Sequence, residues 1–248
     1  MSWPFFYFTG FERKQQEKGM TISHSYYPVA LDLQGKSCLV VGGGALATEK
    51  IEGLLVAGAE ITVVSPTVTP TIAYLAEGGE LTLRQRPYTS DDLDCIYLAY
   101  GATEDRAENA RVAADARRLG VIVNAVDDIP NCDFFAVSIV RRGDLQIAIS
   151  TNGRSPAFAR WVREYLDAWI PKAFGGVLDA LADVRQDLRA QGTTPPYERW
   201  QAAIGDEVFS QLPRGVTDGA RKRVYDTVTT PPDPDHPSKH ARLPWTGA

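Results

Sequence analysis

The chain has 248 residues, of which 44% are hydrophobic and 23% charged, and its formal net charge is −5. That length can bury a substantial core as one large domain or two small ones, in a composition ordinary for a soluble enzyme. The acidic balance argues against broad nucleic-acid binding, which needs a basic surface, and no apolar run approaches a membrane span; neither nucleic acid nor membrane is an expected partner.

The chain opens with Trp3-Pro4-Phe5-Phe6-Tyr7-Phe8, and the charges Glu12, Arg13, Lys14 and Lys18 come afterwards. A signal peptide has the opposite order. Residues 1–26 are therefore expected to be a poorly ordered leader, with Met20 an alternative start. From Tyr27 short β-branched runs alternate with helical stretches. Ser37–Val41 reads as a strand buried on both faces, and a helix follows from about Leu46 to Ala57, capped by Gly58. Strand Glu60–Val64 is closed by Ser65-Pro66; a helix near Thr69–Glu77 ends at Gly78-Gly79, and Leu81–Arg86 is a third strand. Cys95–Tyr100 is a fourth strand, Glu104–Leu119 a helix capped by Gly120, and Val121–Asn124 a fifth strand. This alternation predicts a mostly parallel α/β sheet of Rossmann type over residues 27–130.

The alternation then stops. Phe134–Val140 and Leu145–Ser150 around Arg141-Arg142-Gly143-Asp144 read as a hairpin. Ser155-Pro156 starts a helix that runs to about Trp169, closing a small α+β segment over 131–171. Val177, Leu178, Leu181, Val184 and Leu188 form a helical apolar stripe. Further helical patterns near Tyr197–Leu212 and Val216–Val228 complete a C-terminal helical region, 172–228. The proline-rich residues 229–248 are expected to be a disordered tail.

Gly42-Gly43-Gly44-Ala45-Leu46-Ala47 lies directly between a strand and a helix, the context in which a glycine run carries meaning. Glycines allow a tight turn and close approach of a pyrophosphate to N–H groups at the helix N-terminus. Gly42 and Gly44 match the dinucleotide pattern, and Ala47 takes the third small position. A ligand-free turn is the alternative. The acid expected at the end of the second strand, where it would hold the ribose hydroxyls, is missing. Ser65, Pro66 and Thr67 stand there instead, so hydroxyls or backbone groups would replace it.

Other chemistry is sparse. His24, His236 and His240 all lie near the ends, which disfavours a histidine-based triad or metal site, and no tyrosine begins a Tyr-x-x-x-Lys pair. Cys38, Cys95 and Cys132 are widely spaced and form no CxxC; buried structural thiols in a reducing, cytoplasmic compartment fit better than a disulfide framework or zinc site. No metal ligands are assigned. Carboxylates at strand C-termini are the remaining candidates: Asp127 and Asp128 after the fifth strand, and Glu104 and Asp105 after the fourth, where capping a helix is the simpler role. Asp127 has the better position. In Ser150–Arg160, Arg154 and Arg160, with Arg163 beyond, either meet a polycarboxylate or are the solvated arginines of a capped helix.

Together these residues resemble the precorrin-2 dehydrogenase family, which includes the N-terminal part of sirohaem synthase and bifunctional dehydrogenase–ferrochelatases. The resemblance spans about Tyr27 to Pro171. It rests on Tyr27-Pro28-Val29 leading to Leu39–Gly44, on Ala102-Thr103-Glu104-Asp105, on Asn124-Ala125-Val126-Asp127 with Cys132-Asp133-Phe134, and on Ser150–Gly153 followed by Ser155–Arg160. It implies transfer of hydrogen from precorrin-2 to NAD, giving sirohydrochlorin, with Asp127 as general base or orienting group. Cofactor contacts would fall on Gly42, Gly44, Ala45, Leu46, Ser65, Pro66, Thr67, Thr103 and the backbone near Asn124. Thr151, Asn152, Arg154 and Arg160 would meet the tetrapyrrole carboxylates. A homodimer formed through the middle segment is implied, and it would account for the Val177–Leu188 stripe, whose other reading is an ordinary core face. Ala47-Thr48-Glu49-Lys50 departs from the family, where arginine often precedes the lysine, and beyond Pro171 the match fades. With no methyltransferase domain following, the trifunctional enzyme is not the expectation. Insertion of Fe²⁺ or Co²⁺ into sirohydrochlorin, and a non-catalytic dinucleotide sensor, are the alternative functions.

Overall fold

The computed structural model describes residues 26–204 and 218–230. The leader, the tail from 231, the end of the helix expected at 197–212 and the first residues of that at 216–228 lie outside the described residues, as do all three histidines. The chain divides into two units at Phe135/Ala136.

In the first unit, strands β1 (Ser37–Val41), β2 (Glu60–Val64), β3 (Thr82–Arg84), β4 (Leu98–Gly101) and β5 (Ile122–Ala125) alternate with helices α1 (Ala45–Val56), α2 (Pro70–Glu77) and α3 (Arg106–Leu119). The strands form one sheet in the order β3-β2-β1-β4-β5, every pair parallel. The alternation of β1 shows why its apolar run is unbroken. Cys38 and Val40 pack with Ile51 and Leu54 of α1 and Ile72 of α2. Leu39 and Val41 face the other way, onto Val112, Ala113 and Ala116 of α3. Both faces of the sheet are thus covered, as a parallel sheet requires. Strand order reverses at β1, which lies between β2 and β4, so the crevice for a ligand opens at the C-terminal ends of these strands.

Two strands are shorter than their apolar runs. Cys95 has φ +61° and Ile96 N–H donates back to the Leu93 carbonyl, so the chain is still turning where a strand was expected. At β3, Arg86 N–H turns back to the Arg84 carbonyl just before Pro87.

The second unit begins with the antiparallel hairpin β6 (Ser138–Arg142) and β7 (Leu145–Ile149). Phe134, expected in this hairpin, instead packs edge-on against Tyr100 with ring centroids 5.3 Å apart and belongs to the first core. Helix α4 (Pro156–Trp169) starts at Ser155, whose hydroxyl accepts from Phe158 N–H, with proline at the first turn. Arg142 ties the hairpin to the end of α4 through the Ile170 carbonyl and Asp167. Helices α5 (Phe174–Ala190), α6 (Tyr197–Ala202) and α7 (Asp218–Thr229) follow. The Val177–Leu188 stripe is a core face within this chain: Val184 and Leu188 are buried with Ala203, Val224 and Val228, and Val177 and Leu181 pack against them. It is therefore not the free interface that the dimer reading assigned to it. Among the described residues, no helix is long and apolar enough to cross a membrane.

Candidate functional site

The glycine run forms the floor of a cleft of about 600 Å³ at the C-terminal edge of the sheet. Each glycine has its own steric reason. Gly42 has φ +124°, and a Cβ there would lie 2.3 Å from the Ala102 carbonyl oxygen. At Gly43 a Cβ would lie 2.0 Å from the Thr67 carbonyl oxygen and 2.9 Å from Ser65 Oγ. A Cβ on Gly44 would meet nothing within 4 Å, and Gly44 lines the cleft, so its bare face borders the space open to a ligand. The turn is bonded to the β2–α2 connection: Gly42 N–H donates to the Val64 carbonyl at 3.0 Å, and Thr69 N–H to the Gly43 carbonyl at 2.9 Å. The hydroxyls of Thr48 and Thr69 meet at 3.0 Å across the two helix starts.

Helix α1 begins at Gly44 without a side-chain cap and without an acid in its first turn. Its leading N–H groups and the positive end of its dipole are therefore left for an anion. Around this turn the cleft gathers Ala45, Leu46, Ser65, Pro66, Thr67 and Thr103, all expected from the sequence. Their side chains are unequally available. Ser65 is buried and its hydroxyl donates to the Thr67 carbonyl at 2.7 Å, holding the turn. Thr67 is exposed, and among the described residues its hydroxyl has no partner, so it is the better group for a ribose hydroxyl. The single Thr103 hydroxyl proton is shared between Asn109 Oδ1 at 2.8 Å and the Asp105 carbonyl at 3.0 Å, so Thr103 shapes the wall by its backbone.

Asn124 does not line the cleft. It is buried, and its Nδ2 donates to the Phe134 carbonyl at 2.7 Å, fastening the chain that leaves the sheet to β5. Lining residues that the sequence did not single out include Val68, Thr69, Tyr88 and the acid Glu108; Gly43 belongs to the expected turn, and Glu104 and Asp105 are strand-end carboxylates already among the candidates. Asn109, buried within α3, also went unnoticed although it accepts from Thr103 N–H and donates to the Thr103 carbonyl. A lone asparagine in the apolar stripe of that helix was the available signal. Asp105 caps α3, accepting from Ala107 N–H at 2.8 Å. Among the described residues, no lysine or arginine lines the cleft. A dinucleotide's pyrophosphate would be met by backbone N–H groups, and the acidic rim disfavours an additional phosphate on the ribose. The residues present thus fit an NAD-type dinucleotide.

Asp127 lies two residues beyond the end of β5, on the sheet edge that also carries the glycine turn. Ala125 pairs with Gly101, and Val126 N–H donates to the Gly101 carbonyl at 2.8 Å. The Asp127 side chain is exposed, has φ +60°, and is without a hydrogen-bonding or ionic partner among the described residues. Cys38 is buried, which pushes its thiol up to about 11. Cys132 is half-buried, while Cys95 is exposed, contrary to the expectation that all three are buried.

In the second unit, Thr151 Oγ1 accepts from Ser155 N–H at 3.1 Å and donates to the Ser155 carbonyl at 3.2 Å, so it closes the loop before α4. Asn152 follows with φ +52° and an exposed side chain. Arg154 is exposed with no side-chain partner among the described residues, whereas Arg160 pairs with Glu164 one turn along α4 at 2.8 Å. The same helix exposes Phe158, Trp161, Tyr165 and Trp169; the first three rings stack in sequence at 5.9 and 5.7 Å.

Comparison with known proteins agrees with both units. Residues 29–138 match the model of a putative NAD(P)-binding family, and residues 142–168 that of the central segment of sirohaem biosynthesis proteins. Siroheme synthase 1 of Serratia proteamaculans is 34% identical over 203 residues, covering 80% of this chain and 42% of that protein. Siroheme synthase of Methylococcus capsulatus is 35% identical over 205 residues, covering 82% and 43%. The chain thus spans less than half the length of the curated relatives it matches. The solved structure of SirC, a precorrin-2 dehydrogenase, superposes with a TM-score of 0.60 at 27% identity, covering 82% of this chain and 96% of that one. The ordered motifs, the sheet topology and these matches agree on an NAD(P)-binding chain that is similar to siroheme synthases and to a precorrin-2 dehydrogenase.

Proposed function

We propose that this protein oxidises precorrin-2 to sirohydrochlorin with NAD. The observation that carries the reading is the shared sheet edge. One strand end presents an uncapped helix N-terminus above Gly44, and another presents the unpartnered Asp127 carboxylate. When bound, NAD supplies the acceptor for a hydride. The chain's own residues do the rest. The first turn of α1 holds the pyrophosphate by N–H groups, Thr67 meets a ribose hydroxyl, and the Thr103 backbone walls the reacting end. Asp127 takes the proton that leaves the tetrapyrrole as the hydride departs, so that one hydride and one proton together remove two hydrogens. Thr151, Asn152, Arg154 and Arg160 bind the substrate's carboxylates, Arg160 by exchanging its Glu164 partner.

An anaerobic assay of NADH formation from precorrin-2 generated in situ tests this. Turnover in the wild type and a loss of at least about 100-fold in Asp127→Ala, with NADH affinity unchanged, are expected. Normal turnover of that variant would remove Asp127 from the mechanism. The unpartnered carboxylate also supports a second activity, insertion of Fe²⁺ or Co²⁺ into sirohydrochlorin, because chelation needs a base for the pyrrole protons. Metal-dependent absorbance changes with sirohydrochlorin test it directly. The protein acts as a cytoplasmic homodimer in this reading, and the exposed aromatic face of α4 supports a copy-to-copy contact.

A further inference from the structure

Asp127 has a backbone that favours glycine, and the chain around it explains how an aspartate is kept there. Asp128 N–H donates to the Ala125 carbonyl at 3.1 Å, closing a four-residue turn with Val126 and Asp127 at its centre. Only the second central residue has positive φ, the pattern of a type II turn, whose third position normally belongs to glycine or asparagine. Aspartate there is strained, and such strain persists only where neighbours over-determine the conformation.

Those neighbours are present. The Cys132 thiol sits across the turn, with Sγ 3.1 Å from the Ala125 carbonyl oxygen and 3.3 Å from that of Asp128, the first and last residues of the turn. Asn131 Nδ2 donates to Asp128 Oδ2 at 2.7 Å, and Asn131 N–H to the Asp128 carbonyl at 2.9 Å. The segment bearing Cys132 is fixed to the sheet in turn. Asp133 accepts from Val123 N–H through Oδ2 and donates its own N–H to the Val123 carbonyl at 2.8 Å. From α3, Arg117 reaches the Asp133 carboxylate at 3.1 Å, Asn131 Oδ1 at 3.3 Å and the Pro130 carbonyl at 3.1 Å.

We propose that Cys132 is a positioning residue for Asp127: its thiol bridges the ends of the turn and, with Arg117 anchoring the loop behind it, locks the left-handed backbone that presents the carboxylate. Burial raises the Cys132 thiol, which keeps it a protonated donor at neutral pH. Cys132 does not line the cleft and its thiol meets the carbonyls of Ala125 and Asp128, so its effect passes through Asp127. The catalytic consequence rests on the dehydrogenase reading; the mechanical one does not.

The test uses the full-length protein and three variants, Cys132→Ala, Cys132→Ser and Arg117→Gln. In amide hydrogen exchange without ligand, Cys132→Ala should lose about tenfold protection at Asp128 N–H, whereas Cys132→Ser, which keeps a donor, restores most of it. In the NADH-forming assay, kcat should fall about tenfold in Cys132→Ala and recover in Cys132→Ser, with the KM for NAD unchanged in both. Arg117→Gln should show the same pattern more weakly, because it loosens the anchor and leaves the thiol in place. Unchanged exchange at Asp128 in Cys132→Ala overturns the proposal whatever the activity does. Altered exchange with wild-type kcat overturns the catalytic role of the clamp. A wild-type protein without turnover would refute the dehydrogenase reading alone, and the exchange measurement would still decide the clamp.

Discussion

Replacing each glycine of the cleft floor by alanine separates what the fold needs from what the ligand needs. In Gly43→Ala the new Cβ starts 2.0 Å from the Thr67 carbonyl oxygen, against the 3.4 Å at which ordinary contact begins, so one side must move by roughly 1.4 Å. The nearest of the neighbouring atoms, the Thr67 carbonyl oxygen, is backbone, and the hydrogen bonds from Gly42 to Val64 and from Thr69 to Gly43 stretch with it. Overpacking at about 1–3 kcal/mol and two weakened hydrogen bonds at about 0.5–1.5 kcal/mol each give a loss of roughly 2–6 kcal/mol. Gly44→Ala is the contrast. Its φ of −83° suits alanine and its Cβ meets no protein atom, so stability should change by less than about 1 kcal/mol. Its methyl group instead occupies the space where a pyrophosphate approaches. Losing one such charge-assisted hydrogen bond at about 1.5–3 kcal/mol weakens NADH about 10- to 100-fold. Thermal melting with and without NADH, and titration of NADH fluorescence, read both quantities. Gly43→Ala should melt about 10 °C or more below wild type; Gly44→Ala should melt near wild type and lose the stabilisation by NADH. Wild-type NADH affinity in Gly44→Ala would refute the placement of the pyrophosphate on this turn.

Three further outcomes are expected. Thiol-specific labelling of the native protein should modify Cys95 first and leave Cys38 unmodified until unfolding, since Cys38 is buried and its thiol is raised to about 11; peptide mapping checks the order. Asp105→Ala removes the cap of α3 and should lower stability by about 1 kcal/mol, and because Asp105 also lines the cleft the variant should be melted with and without NADH. Asp92→Asn breaks the buried carboxylate from Arg84 and Arg86, at 2.7 and 2.6 Å, and should cost about 2–3 kcal/mol at neutral pH, discounted because both guanidiniums are half in water. Burial alone would raise the Asp92 pKa, but the two guanidiniums and the Thr89 N–H hold it far below the carboxylate range. Its stabilisation is therefore complete above the unfolded value of about 4 and fades as pH falls below it, so the melting gap between wild type and Asp92→Asn should narrow under acid.

The parts legible in the sequence were those written by a local rule. A strand buried on both faces must be apolar throughout, and Ser37–Val41 is. The glycines at 42 and 44 were readable because a turn between strand and helix admits few other residues. The dinucleotide pattern gives no reason for Gly43, whose reason is the Thr67 carbonyl, 24 positions along the chain. The apolar stripe of Val177–Leu188 was visible, but periodicity reports that a face is buried and not against what; Val224 and Val228 supply the answer from another helix. The resemblance implies a cofactor contact for the backbone near Asn124, and says nothing of the side-chain amide, which serves the chain reversal at Phe134. Cys95 shows the limit from the other side, for composition makes a free thiol a core residue and a left-handed turn at the surface makes it an exposed one.

The glycine turn and the Asp127 turn, at two strand ends of one sheet edge, obey different physics. The cofactor side is built almost wholly from backbone: N–H groups at a helix start, glycines that remove side chains, and a serine and a threonine whose hydroxyls are spent on holding turns. Such a site tolerates substitution wherever the backbone is kept, and under the proposed reading the exposed Thr67 takes the place of the acid missing after β2. The side that bears Asp127 depends on one carboxylate in one backbone conformation, and a strained residue transmits disturbance from every neighbour that holds it. Variants of the loop from Ile129 to Asp133 should therefore alter turnover while sparing dinucleotide affinity, and variants of the glycine turn should do the reverse. A loop variant that lowered NADH affinity as much as turnover would show the two sides to be mechanically one.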